Sequence, residues 1–235
     1  LMEYLDEVEL LNSVMQPHLW QDEHIKSALA QMAKWHSRML DTRANLDGSI
    51  WDDVPSLNYM TSLSPLWNAL LNNAAIKCPD LYSPARVQLM QAAINAIPSN
   101  WQRLQTLPKT LVHNDLNPRN SCFKTSEGLS FCLYDWELAT FHIPQYDVAE
   151  FLCFILDKDR YVLRNYYIEF YRQALSAFTG RYQDKEAFKE EFYLAALDFG
   201  IHRLGMYLMA HAVSPYPFIP RVVESFFDTV MLLRE

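Results

Sequence analysis

Residues 110–137 read TLVHNDLNPRNSCFKTSEGLSFCLYDWE. Three runs, TLVH, SCFK and LSFCLYD, are short and rich in β-branched and aromatic residues. A Gly-containing turn at TSEG separates the last two, which predicts small strands with a hairpin. Polar residues crowd the gaps: His113-Asn114-Asp115-Leu116-Asn117-Pro118-Arg119-Asn120 after the first run, Asp135-Trp136-Glu137 after the last.

The rest of the chain reads helical. Residues 22–40 place Ile25, Leu29, Met32, Trp35 and Met39 on one face at helical spacing. Ser83 followed by Pro84 is a helix start, and Pro98 is expected to close that helix. Two long helical patterns cover 158–178 and 184–212, with Gly180 as the C-cap between them. Pro215, Pro217 and Pro220 precede a last helix near 219–234. The fold class expected is mainly α with a small β-hairpin region, an α+β arrangement.

Composition excludes several functions. Of 235 residues, 50% are hydrophobic and 20% charged, so the chain carries a real core and is not disordered. Net charge is −8 with no basic stripe, which argues against nucleic acid as a partner. The most apolar runs, such as 151–156, are too short to span a membrane. The four cysteines form no C-x-x-C pair, so no zinc site or disulfide framework is expected, and free thiols imply a cytoplasmic location. The start, LMEYLDEVEL, lacks the basic opening and cleavage site of a signal peptide.

The polar cluster suggests a chemistry. Asp115, Asn120, Asp135 and Glu137 would meet at adjacent strand ends, a hard-oxygen donor set suited to Mg²⁺. A carboxylate not fully engaged by metal could accept a proton from a hydroxyl. Together these are the parts of phosphoryl transfer. Arg119, in the same loop, is a candidate phosphate contact.

The spacing H-x-D-x-x-x-x-N followed by D-W-E resembles the aminoglycoside phosphotransferase and choline kinase family, a branch of the protein-kinase-like fold. Tyr146-Asp147-Val148-Ala149-Glu150 resembles its D-L-A segment, Ala33-Lys34-Trp35-His36 its first large C-lobe helix, and the opening Leu1-Met2-Glu3-Tyr4-Leu5 its hinge strand. The resemblance implies transfer of the γ-phosphate of ATP, with Mg²⁺, to a hydroxyl of a small molecule. It makes Asp115 the catalytic base, Asn120, Asp135 and Glu137 the metal ligands, and His113 and Asp147 structural supports of the catalytic loop. Glu3 and Leu5 would hold adenine through backbone groups. The late helices of such enzymes close the acceptor pocket, which makes Asp198, His202 and Tyr207 candidate substrate residues; Asp198 and His202 share an approximate helical face.

The domain reading is therefore a hinge-like strand at 1–5 and a kinase-like helical C-lobe at 6–235, with the catalytic and metal loops at 111–137. Only eleven residues separate Asp135 from Asp147, too few for a peptide-docking activation segment. The family's N-lobe, with its nucleotide-covering loop and its lysine, is absent, and no glycine precedes Gly48. The expectation is that upstream residues of a longer chain supply the N-lobe, and that these 235 residues alone turn over poorly. The alternatives are a scaffold module without turnover, and a hydrolase that uses the same metal site.

Overall fold

The computed structural model describes residues 7–11, 14–43, 54–126 and 128–234. The hinge reading at Glu3 and Leu5 lies outside them. Ten α-helices are described: α1 Asp22–Met39, α2 Leu57–Ser62, α3 Ser64–Lys77, α4 Pro84–Asn95, α5 Ile97–Leu104, α6 Gln145–Ile155, α7 Arg164–Thr179, α8 Lys185–Phe199, α9 Gly205–Val213 and α10 Ile219–Arg234. The strands are β1 Val8–Glu9, β2 Thr110–Val112, β3 Ser121–Lys124, β4 Ser130–Leu133 and β5 Thr140–His142.

The strands form two small antiparallel sheets. β3 and β4 are the expected hairpin, with Ser121 opposite Leu133 and Cys122 opposite Cys132, and β1 adds to the β3 edge. The first run, however, pairs elsewhere. β2 takes β5 as partner, Val112 opposite Thr140, so the polar loop after β2 connects one sheet to the other. Trp20 fastens the hairpin to the helices by edge-on contacts with Phe123, Phe131 and Phe151, at 5.6, 6.3 and 5.2 Å between ring centres.

At the centre lies α6. Every one of its eleven residues is buried, and it packs against α8, α10 and the polar loop after β2. A helix enclosed on all sides is ordinarily apolar all round, so the two carboxylates that this one carries, Asp147 and Glu150, must find partners inside. α1 packs along α7, and of the stripe expected from the sequence Ile25, Leu29 and Met32 are buried, whereas Trp35 and Met39 are only half-buried and His36 is buried instead.

Three expected boundaries are corrected. Pro98 does not close α4, which ends at Asn95; it lies in the first turn of α5, where its missing N–H costs nothing. The pattern at 158–178 is a 3₁₀ segment, Lys158–Leu163, running into α7. The pattern at 184–212 is interrupted by a π turn, Gly200–Leu204. Gly180 caps α7 as expected, in the left-handed region with φ +69°. Among the described residues no helix is long and apolar enough to cross a membrane.

Candidate active site

The loop from His113 to Asn120 is fastened from below by α6. The Asp147 carboxylate accepts the backbone N–H groups of His113 at 2.7 Å and Asn114 at 3.0 Å. It also meets His36 Nε2 at 3.3 Å, and His36 Nδ1 meets the Tyr171 hydroxyl at 2.6 Å, so α1, α6 and α7 converge on one buried carboxylate. Asn114 takes the left-handed conformation, φ +61°, which an asparagine tolerates better than most residues. Its side chain donates to the Leu138 carbonyl at 2.9 Å.

One turn beyond Asp147 on the same helix face, Glu150 accepts the Leu116 N–H at 3.0 Å. Between these two anchors stands Asp115. Asn120 Nδ2 donates to both the Asp115 carbonyl (3.0 Å) and Oδ2 (2.8 Å). Both amide hydrogens are thus directed at Asp115, and among the described residues no donor reaches Asn120 Oδ1, which remains available to a cation. Asn117 Oδ1 accepts the backbone N–H and the Nε of Arg119, both at 3.1 Å, and the Arg119 guanidinium lies over the Phe218 ring.

Asp115 Oδ1 is also engaged. Arg203 donates to it at 2.7 Å, the Tyr207 hydroxyl donates to it as well, and that hydroxyl lies 2.9 Å from Glu150 Oε1. Burial works to raise the Asp115 pKa, but Tyr207, Arg203 and Asn120 outweigh it and hold the carboxyl below its ordinary value. Glu150 has fewer donors and no solvent, and burial pushes it up to about 7.

Asp135 ends the hairpin in the left-handed region, φ +64°, and is exposed, as is Glu137. Neither side chain has a polar partner among the described residues. His113 joins the two halves of the site: its Nε2 meets the Tyr134 carbonyl at 2.9 Å, and its ring packs on Trp136 at 4.7 Å. The donors that could hold Mg²⁺ are thus one amide oxygen and two exposed carboxylates. Three histidine, cysteine, aspartate or glutamate side chains do not converge anywhere among the described residues. A site of few protein oxygens fits Mg²⁺, which keeps waters and takes substrate phosphates as further ligands.

The candidate acceptor residues separate. Tyr207 reaches Asp115, but Asp198 does not face the loop: it is buried, accepts Trp101 Nε1 at 2.8 Å and meets His142 Nε2 at 3.2 Å. His202 packs its ring on Trp67, 5.4 Å away. The face expected to join Asp198 and His202 does not turn to the loop, and the π turn at Gly200–Leu204, a departure from regular helix, lies between Asp198 and Tyr207. Arg203 and Tyr207, four apart, then point to Asp115 together. Sequence reasoning gave no role to Glu150 or His36 and no partner to Asp115. The signals available were Glu150 three residues after Asp147, and an Arg-x-x-x-Tyr pair on one face.

A groove of about 900 Å³ bounded by Arg86, Tyr161, Arg221 and Phe227 includes none of these residues.

A phosphotransferase enzyme family model matches residues 1–189. The chain belongs to that family. Among solved structures, this phosphotransferase-family chain is similar to a choline kinase from Cryptosporidium parvum Iowa II, with a TM-score of 0.57 and 14% identity, over 97% of this chain and 69% of that one. It is also similar to an ethanolamine kinase from Plasmodium vivax, with a TM-score of 0.54 and 16% identity, over 99% of this chain and 63% of that one. The chain thus spans about two thirds of the length of either kinase. No curated protein matches significantly.

Proposed function

We propose that this chain is the catalytic part of a kinase that transfers the γ-phosphate of ATP to a hydroxyl of a small molecule, an alcohol of the kind named by the choline and ethanolamine kinases it is similar to. One observation carries the reading. Asn120 turns both amide hydrogens onto Asp115, which leaves its oxygen and the Asp135 carboxylate as open hard donors beside a fixed carboxylate. In this reading Asp115 accepts or orients the acceptor hydroxyl proton, and Asn120 and Asp135 hold Mg²⁺. Glu137 binds through water to a second metal, and Arg119 meets a phosphate. His113 and Asp147 support the loop. Mg²⁺, when bound, would neutralise charge on the nucleotide phosphates. The adenine contacts read at Glu3 and Leu5 belong to the hinge-like strand of this chain, and the nucleotide-covering parts belong to an N-lobe from upstream residues.

The test is phosphate transfer by the intact polypeptide with a panel of small alcohols. Asp115→Asn is expected to lower kcat by about 10²–10⁴-fold with Mg-ATP affinity retained. Asp135→Ala is expected to abolish Mg-dependent nucleotide binding in a calorimetric titration. Normal turnover in both variants refutes the assignment.

One observation favours a second reading, a binding module without turnover: both Asp115 oxygens already accept hydrogen bonds from the protein. That reading predicts no Mg-dependent nucleotide binding even in the intact polypeptide.

A further inference from the structure

The Tyr207 hydroxyl has one hydrogen and two lone pairs. Three groups surround it: Asp115 Oδ1, Glu150 Oε1 at 2.9 Å, and Arg203, whose NH2 group donates to it at 3.1 Å. Two of the three are carboxyl oxygens, and a single hydroxyl hydrogen cannot serve two carboxylates. All contacts are satisfied in one arrangement only. Tyr207 accepts from Arg203 and from a protonated carboxyl, and donates to an ionised one.

We propose that Glu150 is a positioning residue that carries the second proton: its Oε1–H donates to the Tyr207 oxygen, so that the Tyr207 hydrogen is delivered to Asp115 and holds that carboxylate in place.

The two carboxyls are not equivalent. Asp115 takes donors from Arg203, Tyr207 and Asn120, the environment of an anion. Glu150 is fully buried, and besides Tyr207 the Leu116 N–H is its sole donor among the described residues. The charged and titratable groups facing it are Arg203 from the π turn, Tyr207 from α9, Asp115 from the loop, and Tyr146, Asp147 and Cys153 on its own helix. Burial and the two aspartates oppose ionisation of Glu150 and outweigh Arg203 and the Tyr207 hydrogen bond, which favour it. When Glu150 loses its proton, the Tyr207 hydrogen is contested by two anions and Asp115 loses a fixed donor. The catalytic consequence rests on Asp115 being the base of the proposed kinase; the location of the proton does not.

Infrared difference spectroscopy of the intact polypeptide, titrated with acid and base, tests the proton directly. The expected result is a neutral carboxylic acid carbonyl band that disappears with a midpoint of about 7. The band is absent in Glu150→Gln and moves to higher frequency in Tyr207→Phe, where the acid has lost its acceptor. No acid band below the midpoint, or a band that survives Glu150→Gln, overturns the proposal. The pH profile of kcat is the second readout. Glutamine can donate to Tyr207 and accept from Leu116 but has no proton to lose, so the alkaline fall seen with glutamate should vanish. An alkaline limb unchanged in Glu150→Gln overturns the positioning role. Absence of any phosphate transfer would strike the proposed function and leave the infrared result to decide the proton.

Discussion

Asp147 is buried, among the described residues no arginine or lysine pairs with it, and its carboxyl oxygens are met by backbone N–H groups of His113 and Asn114 and by His36. Such a group stabilises the loop conformation by satisfying donors that would otherwise be orphaned in the interior. Asp147→Asn turns one acceptor oxygen into a donor that faces a donor. The expected loss is about 3 kcal/mol, read as a lowered urea unfolding midpoint; an unchanged midpoint would mean that the loop is held by other contacts. The spacing of His113, Asp115, Asn120 and Asp135 was legible in the sequence because it is local: one loop and one hairpin end carry all four. The partners of Asp115 were not, because Arg203 and Tyr207 lie 88 and 92 positions away and meet it only through packing.

At the level of elements, α8, the π turn and α9 decide which late side chains reach Asp115. Helical periodicity predicts a face only while the turn stays regular, and Gly200 lets α8 approach α10 too closely for any side chain. A Cβ there would stand 2.2 Å from Phe226 Cζ and 2.5 Å from Cε2. Gly200→Ala is expected to cost about 1–3 kcal/mol through overpacking of α8 on α10. Gly180→Ala, at φ +69° with nothing within 4 Å, incurs only backbone strain, about 1 kcal/mol. Thermal unfolding of the pair checks the order, and a larger loss at Gly180 would contradict it. Long helices with caps were legible from sequence, as α1, α4, α7 and α10 show, whereas β5 is three residues long and owes its existence to β2. Pro98 misled for a definite reason: proline is tolerated at the beginning of a helix as readily as it ends one.

For the molecule as a whole, the buried carboxyls link stability to pH. Glu150 has its pKa raised from 4.5 to about 7, so between those values the folded chain holds a proton that the unfolded chain has released. Its contribution is complete below 4.5 and is lost as pH rises through about 7. Asp115, held below its ordinary 3.8, contributes with the opposite sign, fully present above that value and lost as pH falls further. The two windows do not overlap. Urea unfolding across the pH range should therefore show stability falling from mildly acidic to neutral pH, and Glu150→Gln should flatten that fall. A slope that persists in the variant would assign it to another group.

Trp136 stands between Asp135 and Glu137 in sequence, is exposed over 37% of its surface, packs edge-on against Trp35 with ring centres 5.0 Å apart, and meets the His113 ring at a tilt. An indole so placed is a built-in optical reporter. A cation arriving at the neighbouring carboxylates would disturb the coupling of two fluorophores, and the protein's own emission would register the event without a dye or a label.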